Sequence, residues 1–172
     1  MKTIMLLRHA QSPHATHGQK DFDRPLAQRG REDALRLGAF IQQTDNVPAH
    51  LVSSPAQRAN ETTTILVESA GIDESVITWD KELYHGGVQN YLKAIQESPN
   101  SVDTVLLVGH NPLLEQVVAT LCNREGEYTA RMSTASLVCM EHPAVKWGQV
   151  RPGTARFRWM MEPEILRKLD ID

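Results

Sequence analysis

Arg8 and His9 stand together where a short apolar run, Thr3-Ile4-Met5-Leu6-Leu7, comes to an end. A run of this length and composition reads as a buried strand. Ligands of open α/β sheets bind beyond the carboxyl ends of the strands. A histidine delivered there can attack as a nucleophile, and an arginine beside it can grip a phosphate. Two later segments carry the same logic. In His50-Leu51-Val52-Ser53 a second short strand is followed by Ser54-Pro55-Ala56-Gln57-Arg58. Ser54 reads as a helix N-cap, Pro55 as the first helical residue and Gln57 as the partner in a capping box. That reading puts Arg58 in the first helical turn, where free backbone N–H groups and the helix dipole favour anions. In the third segment, Thr104-Val105-Leu106-Leu107-Val108-Gly109 ends at His110, and Asn111-Pro112 starts another helix with the same cap-then-proline order. No glycine-rich nucleotide loop of the G-x-x-x-x-G-K-[ST] type is present.

Taken singly, each residue has an ordinary reading. A histidine after a strand is often a core residue satisfied by the backbone, and arginines are usually exposed. Convergence at one sheet edge is what favours a phosphate site. His14 and His17 lie in a polar loop and lack a cysteine or carboxylate partner for a metal, so they read as solvated. His85 is expected to border the pocket, and His50 and His142 to be structural or exposed.

The elements that must position these residues alternate along the chain. Strands are expected at 3–8, 50–53, 76–79 and 103–109, and helices at 28–43, 55–69, 88–97 and 112–122. Two late strands are expected at 136–141 and 154–161. In the last, Arg156 and Arg158 on one face and Phe157 and Trp159 on the other predict a half-exposed strand. Such alternation gives a three-layer α/β/α sandwich, and 172 residues suit a single domain over 1–172.

Composition excludes several classes. A formal charge of −3 argues against nucleic acid as the main ligand. No apolar run approaches the ~20 residues of a membrane span. The apolar part of Met1–Leu7 is too short for a signal peptide and is interrupted by Arg8-His9. Cys122 and Cys139 sit apart in apolar contexts and read as buried reduced thiols. The chain is expected to be cytoplasmic.

Three segments together resemble the histidine phosphatase, or phosphoglycerate mutase-like, superfamily: Arg8-His9-Ala10, the Ser-Ser-Pro-x-x-Arg-x-x-Glu-Thr stretch ending at Thr62, and Gly109-His110-Asn111-Pro112. Their order and spacing match from residue 1 to about 120. Chain length and Asp23-Arg24-Pro25-Leu26…Arg29-Gly30 resemble the small SixA-type branch, the protein-phosphohistidine phosphatases. The resemblance implies a mostly parallel central sheet with helices on both sides. It implies catalysis by His9 with Arg8, Arg58 and His110, a phosphate contact from Arg24, and a proton donor at Glu82. Ala10 departs from the usual glycine, so the loop must differ slightly wherever a positive φ would be needed.

The implied reaction is two-step phosphoryl transfer. Neutral His9 displaces the leaving group in line, and water hydrolyses the phosphohistidine. Arg8, Arg58, His110 and Arg24 meet the charge of the transition state without a metal or other cofactor. Neighbouring cations also disfavour protonation of His9. Mutases of the superfamily carry long insertions that roof the pocket, whereas about twenty residues separate Glu61 from Glu82 here. The pocket is therefore expected to be open. The expected partner is a phosphorylated protein of the histidine-phosphotransfer type. The alternatives are a small phosphate ester and a non-catalytic phosphohistidine-binding module.

Overall fold

In the computed structural model, which describes residues 1–123 and 130–169, six strands form one sheet in the order β3-β2-β4-β1-β5-β6. Strands β1 (Lys2–Arg8), β2 (His50–Ser53), β3 (Ile77–Trp79) and β4 (Thr104–Gly109) run parallel to one another. Strand β5 (Leu137–His142) lies antiparallel to β1, and β6 (Arg156–Met161) antiparallel to β5. The four parallel strands therefore present their carboxyl ends along one edge, as the sequence pattern required.

Side-chain alternation divides the core in two. Ile4 and Leu6 of β1 pack with Val105 and Leu107 of β4 under α4 (Val88–Gln96) and α5 (Leu113–Cys122). Met5 and Leu7 pack with Leu106 and Val108 on the opposite face, under α1 (Gln28–Gln42), α2 (Gln57–Ala70) and α6 (Pro163–Leu166). The result is the expected three-layer sandwich. These strand side chains are fully buried, and each such Leu, Ile, Val or Met contributes about 1.5–3 kcal/mol over an exposed position. Among the described residues, no helix is long and apolar enough to cross a membrane. Cys139 is buried, Cys122 is half-buried, and both are free thiols.

Several local expectations are corrected. Helix α2 begins at Gln57 behind Ala56, two residues later than the capping pattern indicated. Ser54 accepts from the Ala56 N–H at 3.3 Å and turns its hydroxyl to His110, so no capping box forms. Asn111 likewise does not cap α5; its Nδ2 donates to Glu115 Oε1 and to the Met132 carbonyl, both at 2.9 Å. A short helix, α3 (Glu82–His85), was not anticipated. In β6 a register shift between Cys139 and Met140 pairs these residues with Trp159 and Phe157, leaving Arg158 as the extra residue. That bulge breaks the simple two-residue alternation.

The loop after β1 is held from three sides. The Ala10 N–H donates to Thr62 Oγ1 at 3.0 Å, and that hydroxyl donates to the Arg58 carbonyl at 2.7 Å. Glu61 accepts from the Leu26 N–H at 2.6 Å and pairs with Arg31 at 3.1 Å. From β5's approach, Ala135 donates its N–H to the carbonyls of both Arg8 and His9 at 3.1 Å, in a left-handed conformation with φ 62°. Among the described residues, Ala135 is the only non-glycine with positive φ. Ala10 thus needs no left-handed conformation, and its methyl is buried in the core.

Candidate active site

His9 leaves β1 directly, and its backbone N–H donates to the Gly109 carbonyl at 3.1 Å, tying the ends of β1 and β4 together. Its ring Nδ1 lies 2.7 Å from the Ala10 carbonyl. A carbonyl only accepts, so this contact assigns the proton to Nδ1 and leaves a lone pair on Nε2. Arg58 Nε donates to that Nε2 at 3.3 Å. Burial, reinforced by Arg58, Arg8 and Arg24, lowers the His9 pKa to about 4 despite the Ala10 contact. At neutral pH the ring is uncharged, and the unprotonated Nε2, held by the Arg58 hydrogen bond, is the nitrogen that can attack once a phosphate takes that donor.

Arg58 is the second residue of α2 and is nearly buried, at 6% exposure. Its Nη1 donates to the Asp21 carbonyl at 2.8 Å and its Nη2 to Asp21 Oδ2 at 3.1 Å. Arg24 donates from Nη1 to Asp21 Oδ1 at 2.9 Å and from Nε to the Pro13 carbonyl at 2.9 Å. The Tyr84 hydroxyl donates to Asp21 Oδ2 at 2.8 Å. Asp21 sits in a short 3₁₀ turn at Asp21–Asp23 and gathers these groups from distant segments. The hydrogen bond from Arg24, joined by those from Tyr84 and Arg58, holds its carboxyl well below the usual carboxylate range.

His110 follows β4, and its ring centroid lies 5.3 Å from that of His9. Its Nε2 shares a hydrogen bond with Ser54 Oγ at 2.8 Å, and its backbone N–H donates to the Tyr91 hydroxyl at 3.3 Å. Burial, then the neighbouring His9 and Arg58, lowers its pKa to about 3. In this state His110 is a neutral hydrogen-bonding ring. Arg8 donates from Nη1 to the Met132 carbonyl at 2.9 Å. Arg8 Nε and His110 Nδ1 are both buried without a hydrogen-bond partner among the described residues. Buried unpaired nitrogens are costly, and their presence is what an anion site predicts.

The fold thus brings Arg8, His9, Arg24, Arg58 and His110 to one sheet edge. Glu82 opens α3, where Asp80 Oδ1 accepts its backbone N–H at 2.9 Å; its half-buried carboxylate makes no hydrogen bond or ion pair among the described residues. His14, His17 and His85 are exposed, His50 is half-buried, and His142 is a buried structural histidine accepting from the Ala144 N–H. Asp21 and Tyr84 escaped the sequence reading. For Asp21 a signal existed: a carboxylate three residues before Arg24, the spacing of one helical turn. Tyr84 reaches the site across 63 residues of chain and left no local trace.

Residues 4–97 match the histidine phosphatase superfamily (branch 1). An uncharacterised protein of Mycobacterium tuberculosis is 31% identical over 157 residues, covering 87% of this chain and 94% of its own length. The protein histidine phosphatase SixA in complex with tungstate superposes with a TM-score of 0.81 at 23% identity, over 95% of this chain and 99% of that one. A structure assigned as a phosphohistidine phosphatase SixA from Agrobacterium tumefaciens gives 0.79 at 26% identity, over 94% and 99%. The family match and the SixA-like structures support a phosphatase. The chain belongs to the histidine phosphatase superfamily, on its SixA-type branch.

Proposed function

We propose that this phosphatase removes phosphate from histidine on a protein of the histidine-phosphotransfer type, through a covalent intermediate on His9 and without a metal. The observation that carries the reading is the state of His9: Nδ1 is fixed on the Ala10 carbonyl and Nε2 keeps its lone pair beside Arg58. Nε2 attacks phosphorus, the P–N bond to the substrate imidazole breaks, and that electron pair leaves with the imidazole. Water then attacks phospho-His9, the new P–N bond breaks, and inorganic phosphate departs. Arg8, Arg24 and Arg58 supply fixed positive charge to the equatorial oxygens, and His110 donates from a neutral ring. These groups take the part a divalent ion plays elsewhere.

A protonated imidazole leaves as a neutral molecule, so a phosphohistidine substrate needs no proton from the enzyme. A second reading, hydrolysis of small phosphate esters, draws on Glu82, whose side chain makes no hydrogen bond or ion pair among the described residues; in its protonated form it would give the proton that a departing alkoxide requires and be left as the carboxylate. In both readings residues 1–172 act as one domain in the cytoplasm. The deciding experiment is a single-turnover assay with a phosphohistidine peptide and a panel of phosphate esters. Faster turnover of the peptide, with label trapped on His9, supports the first reading. Turnover of esters alone replaces it with the second. Binding of the peptide without turnover of anything identifies a binding module.

A further inference from the structure

Beside the phosphate site lies an open cleft of about 490 Å³ with Phe22, Asp23, Tyr84 and His85 among its lining residues. Phe22, Tyr84 and His85 form its aromatic side, and Lys20, Asp21 and Asp23 its charged side. Phe22 and Tyr84 meet edge to face with ring centroids 5.1 Å apart, and Tyr84 meets His85 at 4.8 Å. The cleft is joined to the chemistry through Tyr84. That ring packs edge-on against His110 at 5.4 Å, and the Arg58 guanidinium carbon lies 6.0 Å from its centroid. Arg58 and His110 are also the side chains that flank the His9 ring.

In-line displacement sends the leaving group away from His9 Nε2, past the side chains that hold the phosphate oxygens. Tyr84 packs against two of those side chains, His110 and Arg58. We propose that this cleft is the leaving-group subsite and that it selects a flat ring bearing an N–H, such as the imidazole of a phosphohistidine. The inference rests on the phosphatase reading of His9 and deepens it by naming what the enzyme grips besides phosphate. Aromatic edges and faces favour a flat partner over a flexible aliphatic one. Asp23, exposed and without a hydrogen bond or ion pair from its carboxylate among the described residues, accepts the ring N–H and favours its protonated form. Lys20 at the same cleft opposes this, so the acidic contribution is modest. A loop four residues long, Lys20–Asp23, therefore carries both the carboxylate that binds Arg58 and the wall that reads the leaving group.

The test compares Phe22→Leu and Asp23→Asn with the wild type on N-phosphoimidazole, phenyl phosphate and glycerol phosphate, with tungstate inhibition as a check on the phosphate site. Phe22→Leu is expected to lower kcat/KM about tenfold on both ring substrates, with glycerol phosphate turnover and tungstate inhibition unchanged. Asp23→Asn is expected to lower only the phosphoimidazole rate, about threefold to fivefold. Equal losses on all three substrates, or no loss on any, overturn the subsite. Failure of the wild type to turn over phosphoimidazole while hydrolysing both esters overturns the phosphohistidine reading instead. In that case the ratio of phenyl to glycerol phosphate in Phe22→Leu still decides the cleft.

Discussion

Arg58 donates its Nε–H to Nε2 of His9 across 3.3 Å while its two terminal nitrogens grip the carbonyl and carboxylate of Asp21. One guanidinium thus marks the attacking nitrogen and is itself fixed by an acid from another loop. Two of its five N–H groups remain for an oxyanion. The arrangement explains how a buried histidine stays unprotonated beside an anion site: charge is supplied around it and not on it.

Protonation of His9 should be costly and visible. Its folded pKa of about 4 lies below the 6.5 of an unperturbed histidine, so the unfolded chain binds the proton first as pH falls. The stabilisation is complete above pH 6.5 and is lost on acidification towards pH 4. By pH 4.5 the loss reaches about 2 kcal/mol, and His110, shifted in the same direction, adds to it. Urea unfolding at pH 7 and 4.5 should show a steeper loss for the wild type than for His9→Asn. An NMR titration should find the His9 ring neutral down to about pH 5; a midpoint near 6.5 would contradict the buried neutral ring.

Replacement of Arg58 tests the anion site. Arg58→Ala should remove about 2–4 kcal/mol of transition-state stabilisation, or about 30-fold to 10³-fold in kcat/KM, as expected for a charged donor in a preorganised site. Tungstate and vanadate inhibition should weaken in parallel, and chelator should leave the wild type active. Activity abolished by chelator and restored by a divalent ion would require a metal in the reaction.

Glu82→Gln separates substrate types. Esters with poor leaving groups should slow by about 10²–10⁴, the span of general-acid assistance. A phosphohistidine peptide should slow far less. Equal losses on both, in a variant of unchanged melting temperature, would remove the leaving-group argument, and no loss on either would assign Glu82 no role in catalysis.

Gly30→Ala probes the support of the His9 loop. A Cβ at Gly30 would stand 2.2 Å from the carbonyl oxygen of Gln11, a backbone atom with little room to move. Gln11 also accepts from the Ala27 N–H at 2.9 Å, so the clash reaches both α1 and the loop. Overpacking of this kind costs about 1–3 kcal/mol. A lowered melting temperature should accompany a fall in kcat larger than the change in KM. Unchanged kcat would show that the loop tolerates the displacement.

The strands and the residues at their ends were legible because both follow from local chemistry. Leu6-Leu7 form a buried strand, so Arg8 and His9 must stand where that strand ends; the same holds for Val108 and His110. Arg58 was placed correctly near a helix start although the cap was misassigned. Ser54 has one hydroxyl, and His110 claims it across 56 residues, a competition no local pattern contains. For Asp21 the spacing to Arg24 recorded one partner, but its contacts with Arg58 and Tyr84 exist only after those residues arrive. The bulge at Cys139/Met140 depends on how β5 and β6 meet, and the periodicity of either strand alone does not record it.

The placement of the strands also orders how the molecule comes apart. His9 and His110 hang from β1 and β4, which have hydrogen-bonded neighbours on both sides, whereas Tyr84 follows β3, a three-residue strand at the edge. Amides of central strands exchange with solvent only through large openings, and edge segments open at lower free energy. As temperature rises, the segment bearing Tyr84 should fray while the nucleophile is still assembled. Discrimination between ring and aliphatic leaving groups should therefore disappear some degrees below the temperature at which phosphoryl transfer stops, so that a warm enzyme becomes promiscuous before it becomes inactive.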